Sequence, residues 1–137
     1  MTQEQFVCSK RVPDWVLRSL EDRETQINQL ELLGILCAVE TFGETHLQGR
    51  DVLFLCDNTS ALSSAVHGYA RNADMAALSN ALHLRLARLH CRTWFEWVPS
   101  KANPADVPSR ILGPTSFYDD AGVRVWAPGL RLPSAKC

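Results

Sequence analysis

Between residues 24 and 41 apolar residues return every three or four positions, at Ile27, Leu30, Gly34 and Cys37, with Gln26, Asn28 and Gln29 around them. That spacing predicts an α-helix. Gly49 breaks the pattern, and the run Val52, Leu53, Phe54, Leu55, Cys56 is continuously apolar over the length of a strand. Such a run is expected of a parallel strand covered on both faces, with Asp57 ending it. Asn58, Thr59 and Ser60 are good N-cap residues, so a short helix is expected to run to Val66 and close at Gly68. Asn72 is positioned to cap the next helix, over 73–90, where Met75, Leu78, Leu82, Leu86 and Leu89 mark a buried stripe and Arg85, Arg88 and Arg92 share another face. Residues 93–98, rich in aromatic and branched side chains and stopped by Pro99, predict a further strand, and a brief helix is expected to start at Pro104.

At the two ends the pattern is weaker. Phe6, Val7 and Cys8, followed by Val12 and Pro13, read as a short strand suited to a sheet edge, because proline cannot donate to the ladder. From Ile111 onward Gly113, Pro114, Gly122, Pro128, Gly129 and Pro133 interrupt any sustained period, so 111–137 is expected to be an irregular tail. The order strand, helix, strand, two helices, strand, helix points to an α/β layer architecture over 6–110. A chain of 137 residues with 46% hydrophobic content has room for one domain of modest core.

Charge and cysteine usage narrow the partners only a little. A formal net charge of -1 argues against a strongly basic nucleic-acid scaffold, though it leaves room for a local basic face such as the three arginines. The five cysteines, Cys8, Cys37, Cys56, Cys91 and Cys137, lack the paired short spacing of zinc sites and read as reduced thiols, mostly packing. No apolar run approaches the roughly 18 residues of a membrane span, and Met1 to Gln5 are polar rather than signal-like. An intracellular location, cytoplasmic or nuclear, is therefore expected.

Three carboxylates stand in unusual places: Glu31 within the apolar helix, Asp57 at the end of the apolar strand, and Asp106 near the start of the last helix. Burying a carboxylate is costly unless it coordinates a cation or finds a partner. Each also has a plainer account. Glu31 can be a surface glutamate at the stripe margin paired with an arginine, Asp57 a turn-former with Asn58, and Asp106 a first-turn acid favoured by the helix dipole behind the cap Asn103 and Pro104. What the plainer accounts do not predict is convergence. In open α/β sheets ligands collect beyond the carboxyl ends of strands, where Asp57 falls, and a divalent ion such as Mg2+ prefers carboxylates and water.

The run Gln29-Leu30-Glu31-Leu32-Leu33, then Asp57-Asn58-Thr59-Ser60-Ala61-Leu62, then Val98-Pro99-Ser100-Lys101-Ala102-Asn103-Pro104-Ala105-Asp106, closing at Ser109-Arg110, resembles the ribonuclease H-like domain of retrotransposon reverse transcriptases. The resemblance covers about Phe6 to Arg110. It implies a five-stranded mixed sheet flanked by helices, and four acidic residues that hold two Mg2+ ions, with Mn2+ as a substitute, to cut the RNA strand of an RNA–DNA hybrid. By resemblance Glu31 matches the acid on the first helix, Asp57 the acid ending the fourth strand and Asp106 the acid on the last helix. All three are thus candidate metal ligands and catalytic residues.

The family's remaining acid lies on its first strand, and here the matching region begins at what looks like the third. Asp14, behind Pro13 in a polar stretch, is a poor substitute. Lacking two strands, the domain is expected to expose apolar surface and unpaired edges, to have impaired hydrolysis, and to depend on a neighbouring polymerase domain or chain. Where cellular relatives often carry a histidine, Ser100, Lys101 and Ala102 stand, and His46, His67, His83 and His90 read as surface or packing residues. Lys101, Arg85, Arg88 and Arg92 are candidate contacts to the hybrid's phosphates. Trp94 and Trp97 can stack on bases, but at least one is expected in the core. Two other readings stay open: a non-catalytic nucleic-acid-binding or decayed fragment, and a different nuclease or integrase on the same sheet with a preference for DNA.

Overall fold

The computed structural model describes residues 12–22 and 26–106. Among them a short helix α1 (Asp14–Ser19) precedes α2 (Ile27–Phe42), β1 (Asp51–Cys56), α3 (Thr59–His67), α4 (Ala73–Arg88) and β2 (Arg92–Trp97). A π-helical turn, Gly43–Leu47, extends α2, and a single 3-10 turn, Ser100–Ala102, follows β2. The chain is α/β, with β1 and β2 paired in parallel from Asp51 opposite Arg92 to Cys56 opposite Trp97. Asp14, expected in a polar stretch before the first helix, itself begins the short helix α1 behind Pro13. The expected strand at Phe6–Cys8 and the tail 111–137 lie outside the described residues.

Three helices stack on one side of the two strands around Leu32, Val39, Cys56, Ala61, Ala65, Met75, Leu82, Leu86 and Leu89. The stripe expected on α4 is buried there, with Leu78 partly buried against it. On α2 the buried side differs from the expected one. Leu32 and Val39 are fully buried with Ile35 and Leu36 packed alongside, whereas Ile27 is 48% exposed and Gly34 meets nothing. The helix is apolar nearly all round from Leu30 to Val39, so its own period does not choose a face; packing against α4 does. Gly43 lets that packing close up, since a Cβ there would lie 2.7 Å from Leu89 Cδ1.

The sheet departs from expectation more sharply. Parallel pairing is present, but the run of β1 is covered on one face only: Val52, Phe54 and Cys56 point toward the helices while Leu53 and Leu55 are exposed. Trp94 is 68% exposed and Trp97 49%, so neither supplies the core residue expected of the pair. Phe95 does so instead, stacked on Phe54 with ring centroids 5.0 Å apart. Strand alternation turns Phe95 inward and Trp94 outward, while Trp97, on the same side as Phe95, stands at the end of the strand and stays exposed.

Local chemistry ties the strand end to the helices. Asn58 caps α3, its side-chain oxygen accepting from the Ala61 N–H at 2.8 Å while its amide donates to Asn28 Oδ1 on α2 at 3.0 Å. At the other end Gly68 takes the left-handed conformation, φ 65°, and closes the helix as its position in the sequence predicts. Asn72 occupies the N-cap of α4 without making a side-chain cap bond. Ser79 and His83 on α4 each bond to a backbone carbonyl of α3, Ser64 at 2.7 Å and Ala65 at 2.6 Å. Because Asn58 serves two elements at once, Asn58→Ala is expected to cost about 1–2 kcal/mol, read as a lowered urea midpoint with an unchanged slope.

Candidate metal centre

At the carboxyl end of β1 the chain bends at Asp57 and is captured within one residue by the Asn58 cap. Asn28 precedes Glu31 by one helical spacing on α2, so the Asn28–Asn58 bond draws the face of α2 that carries Glu31 toward that bend. The result is a cluster in which one ligand atom each of Glu31, Cys56 and Asp57 lies within 4.8 Å of the others. Asp106, the third predicted ligand, is not part of that cluster, although its charge acts on Glu31. Asn103 Oδ1 accepts from the Ala105 N–H at 3.0 Å, a short turn runs through Pro104 and Ala105, and helical backbone begins at Asp106.

Electrostatics register the convergence. Burial raises the Glu31 carboxyl above its ordinary value of 4.5, and the negative charges of Asp57 and then Asp106 push it further in the same direction. Glu31 thus feels both other sequence-predicted acids across gaps of 26 or more residues in the chain, and no arginine partner accounts for it among the described residues. Cys56, 4% exposed, belongs to the cluster although its place in an apolar run assigned it to packing. Burial raises the thiol above its ordinary value of 9.0, a backbone hydrogen bond from Asn58 opposes the rise, and the charges of Glu31 and Asp57 add to it. The signal for it was adjacency to Asp57 at a strand end, where a bend brings successive side chains to one spot.

This donor set suits a hard cation. Two carboxylates with ligand atoms within 4.8 Å, and a third whose charge acts on Glu31, are oxygen ligands of the kind Mg2+ or Mn2+ prefers, and a bound cation would offset the part of the Glu31 rise that its acidic neighbours add to burial. A thiol held in its protonated form is a poor ligand for such ions and serves here as an apolar wall.

The expected basic contacts are placed less favourably. Arg85 is held by Glu40 at 3.0 Å and Glu44 at 3.4 Å, and Arg92, on β2 rather than on the helical face, is held by Asp51 at 2.6 Å. Arg88 and Lys101 are exposed. A cleft of about 520 Å³ that the sequence did not reveal runs from Asn28 and Thr59 past Ser63 and His67 to Arg71 and Asn72, and none of the three acids lines it. His67 donates from Nδ1 to the Ser63 carbonyl at 2.7 Å, which leaves Nε2 for another partner.

Neither a protein-family model, nor a curated protein, nor a solved structure matches the chain. Among the described residues no helix is long and apolar enough to cross a membrane.

In the carboxyl range Glu31 gives the stability a pH dependence. With its folded-state value raised, the native protein binds more protons than the unfolded chain between the two values, so stability falls as pH rises through that window. Glu31→Gln removes the charge, and in metal-free buffer it is expected to melt higher than the native chain at pH 7. The difference is expected to close as pH falls below the ordinary carboxyl range, and melting curves across that range check both halves.

Proposed function

We propose that this chain is the ribonuclease H-like part of a retroelement reverse transcriptase, holding Mg2+ or Mn2+ through Glu31, Asp57 and Asp106 against the RNA strand of an RNA–DNA hybrid. The observation that supports the reading is the pairing of Glu31 from a helix with Asp57 from a strand end within one 4.8 Å cluster, with the charge of Asp106 also acting on Glu31, the three acids following the order of the family the chain resembles. Bound divalent ions supply activation of the attacking water and charge stabilisation at the leaving oxygen.

The protein's own part is placement. The Asn58 cap fixes Asp57 relative to Glu31, the Asn103 turn presents Asp106, and the buried Cys56 thiol keeps water from one side of the cluster. The cleft, joined to the cluster through the Asn28–Asn58 bond, gives the strand a track, with the Arg71 guanidinium, His67 and the hydroxyls of Thr59 and Ser63 as phosphate partners. Arg85 and Arg92, spent on carboxylates, leave that role to Arg71 with Arg88 and Lys101.

A second reading, binding without turnover, is favoured by one fact. Among the described residues only Asp57 and Asp106 join Glu31 as carboxylates acting on it, whereas the family's two-metal chemistry uses four. Hybrid cleavage in Mg2+ and in Mn2+ separates the two. Under the first, the native chain cuts the RNA strand and Asp57→Asn lowers the rate by at least about a hundredfold, the scale at which even supporting residues of metal sites matter. Equal rates for the two proteins would contradict it. Metal-dependent hybrid binding with no cutting would leave the second reading standing.

Arg71→Ala is expected to weaken hybrid binding evenly across sequences and to reduce the slope of log affinity against log salt by about 1, as loss of one phosphate contact does. Fluorescence anisotropy over a salt series measures it, and an unchanged slope would remove the cleft from the nucleic-acid path.

A further inference from the structure

The outer face of the two-stranded sheet carries Leu53, 60% exposed, Leu55, 49%, and Trp94, 68%, with Leu53 and Trp94 directly opposite each other in the register. Trp94 donates its indole N–H to Glu96 Oε2 at 3.0 Å, so the ring's one polar atom is satisfied within its own strand and the rest is apolar surface. Asp51 and Arg92 close the rim as an ion pair. Two strands with one open face are marginal in water, and a contiguous apolar patch of this kind marks a place where something docks.

We propose that the occupant is the chain's own C-terminal segment, residues 111–137. The described residues end at Asp106, a few residues past the hydrogen bond from the Val98 N–H to the Cys56 carbonyl at the carboxyl ends of the strands, so the following chain sets out near one end of the sheet. Crossing a six-residue strand takes about 20 Å, or roughly six extended residues, which the segment exceeds several times over. Its residue pattern suits an apolar face: Val123 and Val125 flank Arg124, and Leu130 and Leu132 flank Arg131, an alternation that puts apolar side chains on one side and guanidiniums on the other. Pro114, Pro128 and Pro133 remove backbone donors, so the segment lies across the face and does not extend the ladder. Because face and cover share one chain, the cover acts at an effective concentration of ~mM, above what a second copy reaches at working dilution. The inference is independent of the metal reading.

Hydrogen exchange by mass spectrometry on the full chain tests it, alongside light scattering at two concentrations. The expected result is a monomer in which amides of residues 121–132 exchange more slowly than in an unfolded chain. Trp94→Ser on the face and Val125→Asp on the segment should each abolish that protection while α4 stays protected as the internal sign of an intact fold. If Trp94→Ser also exposes α4, Val125→Asp alone decides. Unprotected 121–132 in the native chain, protection that survives Val125→Asp, or protection that appears only together with a dimer would each overturn the proposal, the last by assigning the face to a second copy.

Discussion

Like charges brought together at a strand end are the constraint on which the rest of this molecule turns. Glu31 sits half-buried with two other carboxylates acting on it, and nothing in that cluster favours its own assembly. It is held by hydrogen bonds made elsewhere, chiefly the two of Asn58, which fasten the first turn of α3 and the flank of α2 to the bend at Asp57. The helices behind them, joined through Ser79, His83 and the Leu82–Leu86 stripe, supply the rigidity. Repulsion maintained by packing is a reason to look for a cation, because a site that concentrates negative charge at a cost to stability is common where charge has work to do.

Much of the helical layer was legible in the sequence because its signals are local. Asn58 and Gly68 bound α3 at the positions their chemistry requires, and the Met75 to Leu89 stripe is broad enough to fix the face of α4. The buried side of α2 was not legible, since a helix apolar on most sides acquires its orientation from its neighbour. Nor was the exposure of Trp94 and Trp97: an aromatic strand reads the same whether its outer face is covered or open.

The site divides in the same way. The three acids could be singled out because carboxylates inside apolar elements need an explanation, and their order along the chain carried the resemblance. Cys56 escaped notice because a cysteine in an apolar run is ordinarily packing, and only the bend after β1 brings its sulfur within 4.8 Å of carboxylate oxygens. The arginines misled for a related reason. Spacing groups Arg85, Arg88 and Arg92 by charge, but the acids that neutralise two of them, Glu40 and Asp51, lie about 40 residues or more upstream. The cleft at Arg71 is assembled from the start of α2, one side of α3, the loop after it and the start of α4, and has no signature in any single segment.

The most direct test is paramagnetic mapping with Mn2+ on the isotopically labelled full chain, followed by NMR at substoichiometric ion. The account predicts that resonances of residues 31, 57 and 106 broaden first and together, with Cys56 among them, and recover on excess Mg2+. Broadening spread evenly over the other acids, Glu40, Glu44, Asp51 and Asp74 included, with no preference for the cluster, would contradict it.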